Sequence, residues 1–436
     1  MSKKKVFVIG LDDFNLEKLQ RLPQADECEF LPALDYSDIR GAKTYDIIAL
    51  IDKAVEKINA AGGKPDAIVT YYDFPGTTML PILAERFNLP GPTLESLMKC
   101  EHKFWSRMEQ QKVIADHIPQ FFAFDPFEEN PLENVPLIPP FWIKPVKSFR
   151  SFLAYRINDI EAFNQALPEI REKIGYYNEP FLKLFEVYPL PYEIGQMKET
   201  FIAESVLAGT MCTVEGYVFN GQVVVYGVVD SVREHDRSSF ARYEYPSTLP
   251  QEVQFRMADV ARRAISGIGL DNTPFNIEFF WNQTYDQVML LEINPRISQA
   301  HTDIFEKVHG ISHHSIMLDI ALGRKPRIME YNGDFHKAAN FMVRIFERGK
   351  IKRVPSRQEI SKIARQMPGT IVKLHVEPGT DLDELTGQDS YSYELANIYI
   401  GARDQLELLG KYHRCLEQLT FDIEREDRYI SISQTS

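Results

Sequence analysis

Residues 275–296 read FNIEFFWNQTYDQVMLLEINPR, and this stretch combines two apolar runs with a few polar side chains. The runs FNIEFF and VMLLEI predict two paired strands, the first carrying Glu278. Alternate side chains of a strand share a face, so Glu292, Asn294 and Arg296 are expected to point the same way. Carboxylate and amide oxygens are the ligands that Mg²⁺ prefers, and Mg²⁺ usually shares its shell with substrate phosphates. The stretch therefore predicts a magnesium and nucleotide site, although an edge strand with solvated charges is the alternative.

Bulk composition disfavours several classes of protein. At 436 residues the chain exceeds the length at which one hydrophobic core stops growing, so two to four units are expected. The 49 lysines and arginines against 62 aspartates and glutamates give a formal charge of -13, which disfavours nucleic acid or an anionic membrane as the main partner. The apolar run in MSKKKVFVIGLDDF is too short for a signal sequence, and no other run could span a bilayer. We therefore expect a soluble, cytoplasmic protein, and a large enzyme is the simplest class.

The cysteines are few and scattered. Cys28, Cys100, Cys212 and Cys415 form no CxxC pair. The sequence therefore predicts neither a disulfide framework nor a zinc site.

The start of the chain has the rhythm of a small α/β domain. VFVIGL predicts a buried strand, and DAIVTYYD predicts another. Between them, DIIALIDKAVEKINAAGG predicts first a strand or a helix and then a helix, which Gly62 and Gly63 end. A helix-like PILAERF continues the pattern, so residues 1–95 are expected to hold a parallel sheet. Only Gly10 follows the first strand, where a dinucleotide site would need GxGxxG, so no such site is expected despite the Rossmann-like order.

The remainder predicts further mixed pieces. Residues 141–203 contain strand-like FWIKPV and FLAYRI, a helix over 159–174 and then FIAESVL, which predicts a small α+β lobe. A hairpin with its turn at Asn220-Gly221 follows. Helices are predicted over 251–268 and over about 302–322, the second closing at Gly323. The last hundred residues predict an α/β piece that ends in the helix LELLGKYHRCLEQL.

Lys144 lies in the apolar strand FWIKPV, where an ammonium is costly unless it meets an anion such as a phosphate oxygen. A lysine whose ammonium reaches solvent at the strand edge is the alternative. The next turn, VKSFRSFLAYR, offers Ser148, Arg150 and Ser151, which could fold over phosphate together with backbone N–H groups. It contains no glycine, although close backbone approach normally requires one, so the residues alone favour a solvated loop.

Two other positions gain meaning only from their surroundings. Lys103, in MKCEHKFWSRM, is by itself an ordinary solvated helix lysine. Glu204, in FIAESVL, lies in an apolar stretch where it could accept a hydrogen bond from a base amino group. The backbone near Leu207 could supply the complementary hydrogen-bonding group for the same base. An ion pair between Glu204 and a neighbouring lysine is the alternative.

Cations are dense in SVREHDRSSFARYEYPS for an acidic protein. Arg233 and Arg242, with His235 and Arg237 between them, could bind a substrate carboxylate. Salt bridges to Glu234, Asp236 and Glu244 are an equal alternative.

The order and spacing of these features resemble the ATP-grasp superfamily over nearly the whole chain, and LLEINPR carries the specific ExNPR motif. The resemblance implies a mixed α/β and α+β structure with the ATP-grasp fold. A Rossmann-like pre-ATP-grasp domain would occupy residues 1–95 and a biotin carboxylase-like α/β domain residues 331–436. The ATP-grasp domain between them, at 96–330, would have a small lid lobe at about 141–203 and a central lobe at about 204–330.

The resemblance also implies a site for ATP and Mg²⁺ (or Mn²⁺). The residues that would hold ATP are Lys103, Lys144, Ser148 and Ser151 at the phosphates, and Glu204 and the Leu207 backbone at the adenine. Glu278, Glu292 and Asn294 would bind the metal. Arg296 would be the catalytic cation, stabilising an acyl phosphate and the oxyanion formed when a nucleophile attacks it.

The implied activity is that of an ADP-forming carboxylate–amine ligase, with a small carboxylate and an amine as substrates. Relatives with such a C-terminal domain are often dimers, so a homodimer is an expectation. Ala300 occupies the position of the glutamate in the Glu-His pair of biotin carboxylases, and only His301 is kept, so biotin carboxylation is not expected. His301 is instead a candidate substrate residue beside Arg233 and Arg242. An ATP-dependent carboxylase or carboxyphosphate-forming ligase, and a non-catalytic ATP-binding regulatory protein, are the alternatives.

Overall fold

A computed structural model describes residues 2–40, 45–148, 152–188, 200–234, 237, 239–328, 332–385, 392–424 and 429–431. Within these ranges, no helix has the length and apolar character needed to cross a bilayer.

The described residues form the following strands and helices. The strands are β1 Lys4–Leu11, β2 Cys28–Asp35, β3 Ala67–Val69, β4 Phe121–Phe124, β5 Phe141–Pro145, β6 Tyr155–Ile157, β7 Phe201–Ser205, β8 Thr210–Phe219, β9 Gln222–Arg233, β10 Phe240–Tyr245, β11 Thr273–Asn282, β12 Gln287–Asn294, β13 Lys337–Ile345, β14 Lys350–Arg353, β15 Thr370–Leu374, β16 Tyr393–Ala402, β17 Asp422–Glu424 and β18 Tyr429–Ser431. The helices are α1 Asp13–Gln20, α2 Tyr36–Ile39, α3 Ile47–Ala60, α4 Gly76–Arg86, α5 Leu94–Glu101, α6 Lys103–Ile114, α7 Ile160–Lys173, α8 Gly175–Val187, α9 Gln251–Ile268, α10 Gln299–His309, α11 His313–Ala321, α12 Arg357–Gln366 and α13 Gln405–Gln418.

The chain divides into two compact units, each built from three segments. The first unit comprises Met1–Tyr226, Pro250–Ser298 and His314–Pro326. The second comprises Gly227–Leu249, Gln299–His313 and Arg327–Ser436.

The first unit opens with a parallel sheet of three strands in the order β2-β1-β3, which confirms the predicted parallel sheet but includes β2, a strand that the sequence did not indicate. Side chains of β1 alternate between two apolar clusters, because helices cover both faces of a parallel sheet. The segment after Asp46 is a helix throughout, α3, which begins where the Asp46 carboxylate accepts a hydrogen bond from the Ala49 N–H. Gly62 and Gly63 follow α3 with positive φ values of 106° and 64°, which confirms the predicted end of this helix.

An antiparallel sheet in the order β4-β7-β5-β6 forms the next part of the first unit. Its core includes Phe163 and Ile170 of α7, so the predicted α+β lobe is present, with β4 as a strand that the sequence did not indicate. Helix α8 behaves differently from α7. Its Phe181 and Leu184 are buried in the same cluster as Phe7 and Ile9 of β1. One helix of this lobe therefore contributes to the core of the first sheet.

The remaining strands of the first unit follow the order β12-β11-β8-β9, with β9 passing into the second unit after Tyr226. The hairpin turn between β8 and β9 lies at Asn220 and Gly221, whose φ values are 50° and 75°. Two positive φ values suit a tight turn whose twist matches that of the flanking strands, so the predicted hairpin is confirmed. Helix α9, predicted over residues 251–268, packs against α6.

The helix predicted as one piece over residues 302–322 is wrong. Helix α10 ends at His309, and Gly310 follows with a φ of 76° before α11 starts at His313. A left-handed residue at this point stops the helix, as Gly323 with a φ of 70° stops α11.

The second unit has an antiparallel sheet in the order β9-β10-β13-β16-β15 and a small sheet in the order β14-β17-β18. Its core lies around Phe341, Ile398 and Leu408. The predicted helix LELLGKYHRCLEQL is α13, but the short strands β17 and β18 follow it, so it does not end this α/β piece.

Candidate active site

The β11–β12 hairpin brings together the polar side chains of the ExNPR region. Glu278 lies directly opposite Glu292, and Asn276 lies directly opposite Asn294. Opposite residues of an antiparallel pair project from the same face of the sheet, so the predicted oxygen ligands do share a surface. The Asn294 Nδ2 donates to Asn276 Oδ1 at 3.1 Å, so the Asn294 Oδ1 is the amide atom that could meet a cation.

The pKa values of the two paired carboxyl groups are shifted in opposite directions. Burial opposes ionisation of Glu292, but the ammonium groups of Lys103 and Lys144 outweigh it and lower its pKa. Burial and the negative charge of Glu292 raise the pKa of Glu278. A divalent cation would favour the ionised form of both groups, so two adjacent carboxyl groups in a partly buried position fit such a cation.

The third strand of this sheet adds a carboxyl group that the sequence did not indicate. Glu215 on β8 lies opposite Asn276 and is fully buried, and Thr213 lies opposite Glu278. Burial raises the pKa of Glu215 well above its usual range, although the Arg296 guanidinium opposes this effect. Only the strand register places Glu215 beside this site, because the motif TVEG carries no signal of its own.

Replacing Glu215 with Gln tests this buried carboxyl group through the pH dependence of stability. A carboxyl whose pKa is raised by folding stabilises the protein below its usual value of 4.5, and this contribution is lost as the pH rises. We therefore expect Glu215→Gln to gain stability relative to the wild type as the pH rises above 4.5, by up to about 1.4 kcal/mol per pH unit. Thermal unfolding in EDTA from acid to neutral pH measures this difference.

The control for that experiment is Glu169→Gln on α7. The side chains of Lys173 and Tyr155 lower the pKa of the exposed Glu169. Its replacement should give no gain in stability as the pH rises, and parallel curves for Glu215→Gln and the wild type would contradict the assignment.

Lys103 lies at the start of α6 and connects this hairpin to the loop after β5. Its Nζ donates to Glu292 Oε1 at 2.8 Å and to the backbone oxygen of Ser148 at 2.8 Å. Ser148 is buried, whereas Ser151 and Arg150 lie outside the described residues. Two of the three ammonium hydrogens of Lys103 are used in this way, which leaves one for a further acceptor.

Lys144 and Glu204 form an ion pair between adjacent strands β5 and β7. The Lys144 Nζ lies 2.6 Å from Glu204 Oε2, and the Arg107 Nε donates to Glu204 Oε1 at 2.6 Å. Burial alone would raise the pKa of Glu204, but Arg107 and Lys144 outweigh it and lower the pKa to about 2. The alternative interpretation of Glu204 as an ion-pair partner is therefore realised, and its ionised carboxylate keeps acceptor positions for other donors. Leu207 lies half-buried in the segment that joins β7 to β8.

Arg296 lies two residues past β12 and is held by an aspartate from the turn between β3 and α4. Its Nε and Nη2 donate to the two carboxylate oxygens of Asp73, the second at 2.9 Å, and its Nη1 donates to the Ile297 backbone oxygen at 3.1 Å. A two-point pair of this kind fixes the plane of the guanidinium. Asp73 was not among the predicted site residues, although a polar residue shortly after a parallel strand is a recognisable signal.

The candidate substrate residues belong to the second unit. Arg242 donates from Nε to Glu244 at 2.9 Å, so the salt-bridge alternative is realised there, and Arg233 lies over the Phe240 ring at 5.3 Å. His301 is buried with its ring against Tyr243 at 4.6 Å between centroids. His235 and Asp236 lie outside the described residues.

Among the residues that the structure describes, no group of three or more His, Cys, Asp and Glu side chains is arranged to hold a metal ion. The hairpin offers two carboxylates and an amide. Mg²⁺ commonly takes only one or two carboxylates from a protein and completes its shell with phosphates and water. The donor set therefore fits a metal that arrives with a nucleotide.

Comparison with known proteins gives a family match and several similar folds. Residues 137–303 match the model of the ATP-grasp domain. The L-amino acid ligase from Bacillus licheniformis has a similar structure with a TM-score of 0.70 and 17% identity, covering 98% of this chain and 100% of that one. For the biotin carboxylase from Campylobacter jejuni the TM-score is 0.67 and the identity 14%, and the match covers 99% of this chain and 93% of that one. For the phosphoribosylglycinamide synthetase from Anaerococcus prevotii the TM-score is 0.64 and the identity 13%, and the match covers 97% of this chain and 100% of that one. Among curated proteins, none matches the sequence significantly.

Proposed function

We propose that this protein is an ATP- and Mg²⁺-dependent carboxylate–amine ligase, because residues 137–303 match the model of the ATP-grasp domain and the chain has the ATP-grasp fold. One observation carries the proposal. Glu278 and Glu292 pair across one hairpin, Lys103 donates to Glu292 at 2.8 Å, and Arg296 follows two residues after the second strand of that hairpin. Such a site combines oxygen ligands for a metal with cations for phosphate.

The proposed organisation has three domains. Residues 1–95 form the pre-ATP-grasp domain, 96–330 the ATP-grasp domain and 331–436 the C-terminal α/β domain. Within the second, residues 141–203 act as the lid lobe and 204–330 as the central lobe.

ATP is the first substrate, and the proposed contacts follow from the donors available. Lys103 and Lys144 neutralise phosphate oxygens, and Ser148 and Ser151 are proposed as further phosphate contacts. Glu204 accepts from the adenine amino group while the Leu207 backbone supplies the complementary donor or acceptor. Lys144 can serve Glu204 and a phosphate together, since an ammonium has three hydrogens to donate.

The metal is held by Glu278, Glu292 and the Asn294 amide oxygen. When bound, Mg²⁺ (or Mn²⁺) supplies charge neutralisation at the phosphates of ATP. Lys103 and Lys144 would add to this neutralisation with their own positive charges.

The proposed reaction has two transfers. A substrate carboxylate oxygen attacks the γ-phosphorus, the bond to the β-phosphate oxygen breaks, and ADP leaves. An amine then attacks the carbonyl carbon of the acyl phosphate, loses a proton, and phosphate leaves with the amide formed. Arg296, with its plane fixed by Asp73, stabilises the negative charge on the acyl phosphate and on the tetrahedral oxyanion. Arg233, Arg242 and His301 are proposed to contact the substrate carboxylate.

The test is phosphate release from Mg²⁺-ATP against a matrix of amino acids, other small carboxylic acids and amines, with mass detection of the products. The ligase proposal expects ADP and phosphate in equal amounts with a condensed amide, and only when both a carboxylate and an amine are present. Incorporation of labelled bicarbonate without any amine would overturn it in favour of a carboxylase. Mg²⁺-ATP binding without ADP release across the whole matrix would overturn it in favour of a regulatory protein.

A further inference from the structure

Arg107 is a buried cation that lies four positions after Lys103 on α6, and hence on the same face of the helix. Only 2% of its surface is exposed. An uncompensated charge in such a place is costly, so its guanidinium must be fully engaged. Its Nε donates to Glu204 Oε1 at 2.6 Å. Its Nη1 donates to Gln110 Oε1 at 2.6 Å and to the Leu290 backbone oxygen at 3.3 Å. Its Nη2 donates to the Leu291 backbone oxygen at 2.7 Å.

The two backbone acceptors lie at an irregularity in β12. Glu292 pairs with Glu278 on β11, but the next pair along the strands joins Leu290 to Phe279, so Leu291 is an extra residue on β12. A bulge of this kind bends the strand and redirects the side chains beside it. Arg107 holds the carbonyl groups of Leu290 and Leu291, which immediately precede Glu292. It therefore fixes the backbone from which Glu292 projects.

The same guanidinium holds the carboxylate on β7. Glu204 is buried, and Arg107 and Lys144 occupy one oxygen each. Arg107 thus connects the strand that carries Glu204 with the strand that carries Glu292. Lys103, on the same helix, completes the connection by donating to Glu292 at 2.8 Å.

We propose that Arg107 is a positioning residue that holds Glu204 and Glu292 in a fixed relation, so that nucleotide and metal affinity both depend on it. The inference rests on the proposed function, in which Glu204 faces the adenine and Glu292 binds the metal. Arg107 itself touches neither ligand. It acts through two separate parts of its guanidinium, Nε toward Glu204 and the Nη atoms toward the bulge.

These two parts can be separated by substitution. Lysine keeps a positive charge for Glu204 but lacks the planar fork that reaches a carboxylate and two carbonyl groups together. Methionine lacks both the positive charge and the hydrogen-bond donors. Arg107→Lys should therefore keep nucleotide affinity and lose metal affinity, whereas Arg107→Met should lose both.

The experiment uses the full chain and two binding measurements. Calorimetry gives the dissociation constant of ATP at saturating Mn²⁺, and electron paramagnetic resonance gives that of Mn²⁺ at saturating ADP. Loss of an outer partner of a metal ligand weakens binding about 10- to 100-fold, so Arg107→Met should raise both constants by about that factor. Arg107→Lys should leave the ATP constant within about threefold of the wild type and keep the Mn²⁺ constant raised at least about tenfold.

A purely structural role for Arg107 gives a different pattern. In that case the melting temperature falls while both constants, per folded molecule, stay at wild-type values, and this result would overturn the proposal. Equal changes of both constants in Arg107→Lys would also overturn it. If the wild type bound neither ATP nor Mn²⁺, this result would instead contradict the proposed function.

Two further variants keep the test decisive. Arg256→Met is the matched control, because Arg256 makes a two-point pair with Asp286 in the turn of the same β11–β12 hairpin, and both constants should stay unchanged. If the Arg107 variants do not fold, Gln110→Met removes one guanidinium partner without changing any charge. It should raise the Mn²⁺ constant about threefold, as expected for one lost hydrogen bond, and an unchanged constant would count against the proposal.

Discussion

Replacing Glu292 with Gln is expected to reduce ADP formation by more than about a hundredfold while the protein stays folded. Glu292 faces Glu278 across the strand pair and accepts from Lys103, so its charge serves the proposed metal and its lysine partner at once. Changes in outer partners of metal ligands already cost about 10- to 100-fold, and a direct ligand should cost more. The variant keeps the shape of the side chain and removes only the charge. A coupled assay for ADP, with thermal unfolding as the check on folding, measures the effect.

The matched control for this substitution is Glu169→Gln. Glu169 also accepts from a lysine, Lys173, at 2.6 Å, but on the exposed surface of α7. Such surface pairs contribute little, so this variant should keep both stability and turnover. Unchanged turnover in Glu292→Gln would refute the assignment of Glu292 to the metal.

Replacing Arg296 with Lys is expected to lower kcat about 10²- to 10³-fold, as for the loss of one oxyanion donor. Lysine keeps the charge, but it cannot reproduce the two-point pair with Asp73 and the bond to the Ile297 carbonyl at the same time. Asp73→Asn should have a smaller effect in the same direction, because Arg296 remains and only its orientation is released. Steady-state turnover with Mg²⁺-ATP and the carboxylate and amine found in the matrix experiment measures both.

Arg324→Lys provides the comparison for Arg296. Arg324 makes a two-point pair with Glu27 at an exposed position of the first unit. Loss of that fork should leave kcat unchanged. A kcat within about twofold of the wild type for Arg296→Lys would show that the guanidinium does not stabilise charge in the reaction.

Local patterns in the sequence predicted the hairpins and most of the elements around the site. The apolar runs around Glu278 and Glu292 gave the paired strands, and Asn220-Gly221 gave the turn, because these signals lie within a few residues. The prediction of a single helix over residues 302–322 was wrong because it also relied on a local pattern alone. The apolar period continued across Gly310, whose positive φ is what ends α10.

The residues that the sequence did not indicate depend on pairings between distant segments. Glu215 joins the site through the register of β8 against β11, and Arg107 joins it through the bulge in β12. Asp73 reaches Arg296 across 223 positions of the chain. Periodicity and short motifs carry no information on such contacts, so only the folded structure could bring these side chains to notice.

Glu204 shows how a residue can satisfy both interpretations offered for it. Its two oxygens pair with Arg107 and Lys144, which agrees with the alternative of a structural ion pair. The same pairs lower its pKa to about 2 and keep it ionised, so that both of its oxygens can only accept hydrogen bonds. The ion pairs thus prepare the carboxylate for the proposed contact with adenine.

The burial of Phe181 and Leu184 of α8 beside Phe7 and Ile9 limits how this protein could be divided or recombined. A fragment that begins after residue 95 would expose two large apolar side chains, and a fragment that ends there would lack part of its core. The first 95 residues are therefore not an interchangeable module. Any exchange of this region between related proteins would have to carry a compatible α8 along, although about eighty residues of chain separate the two.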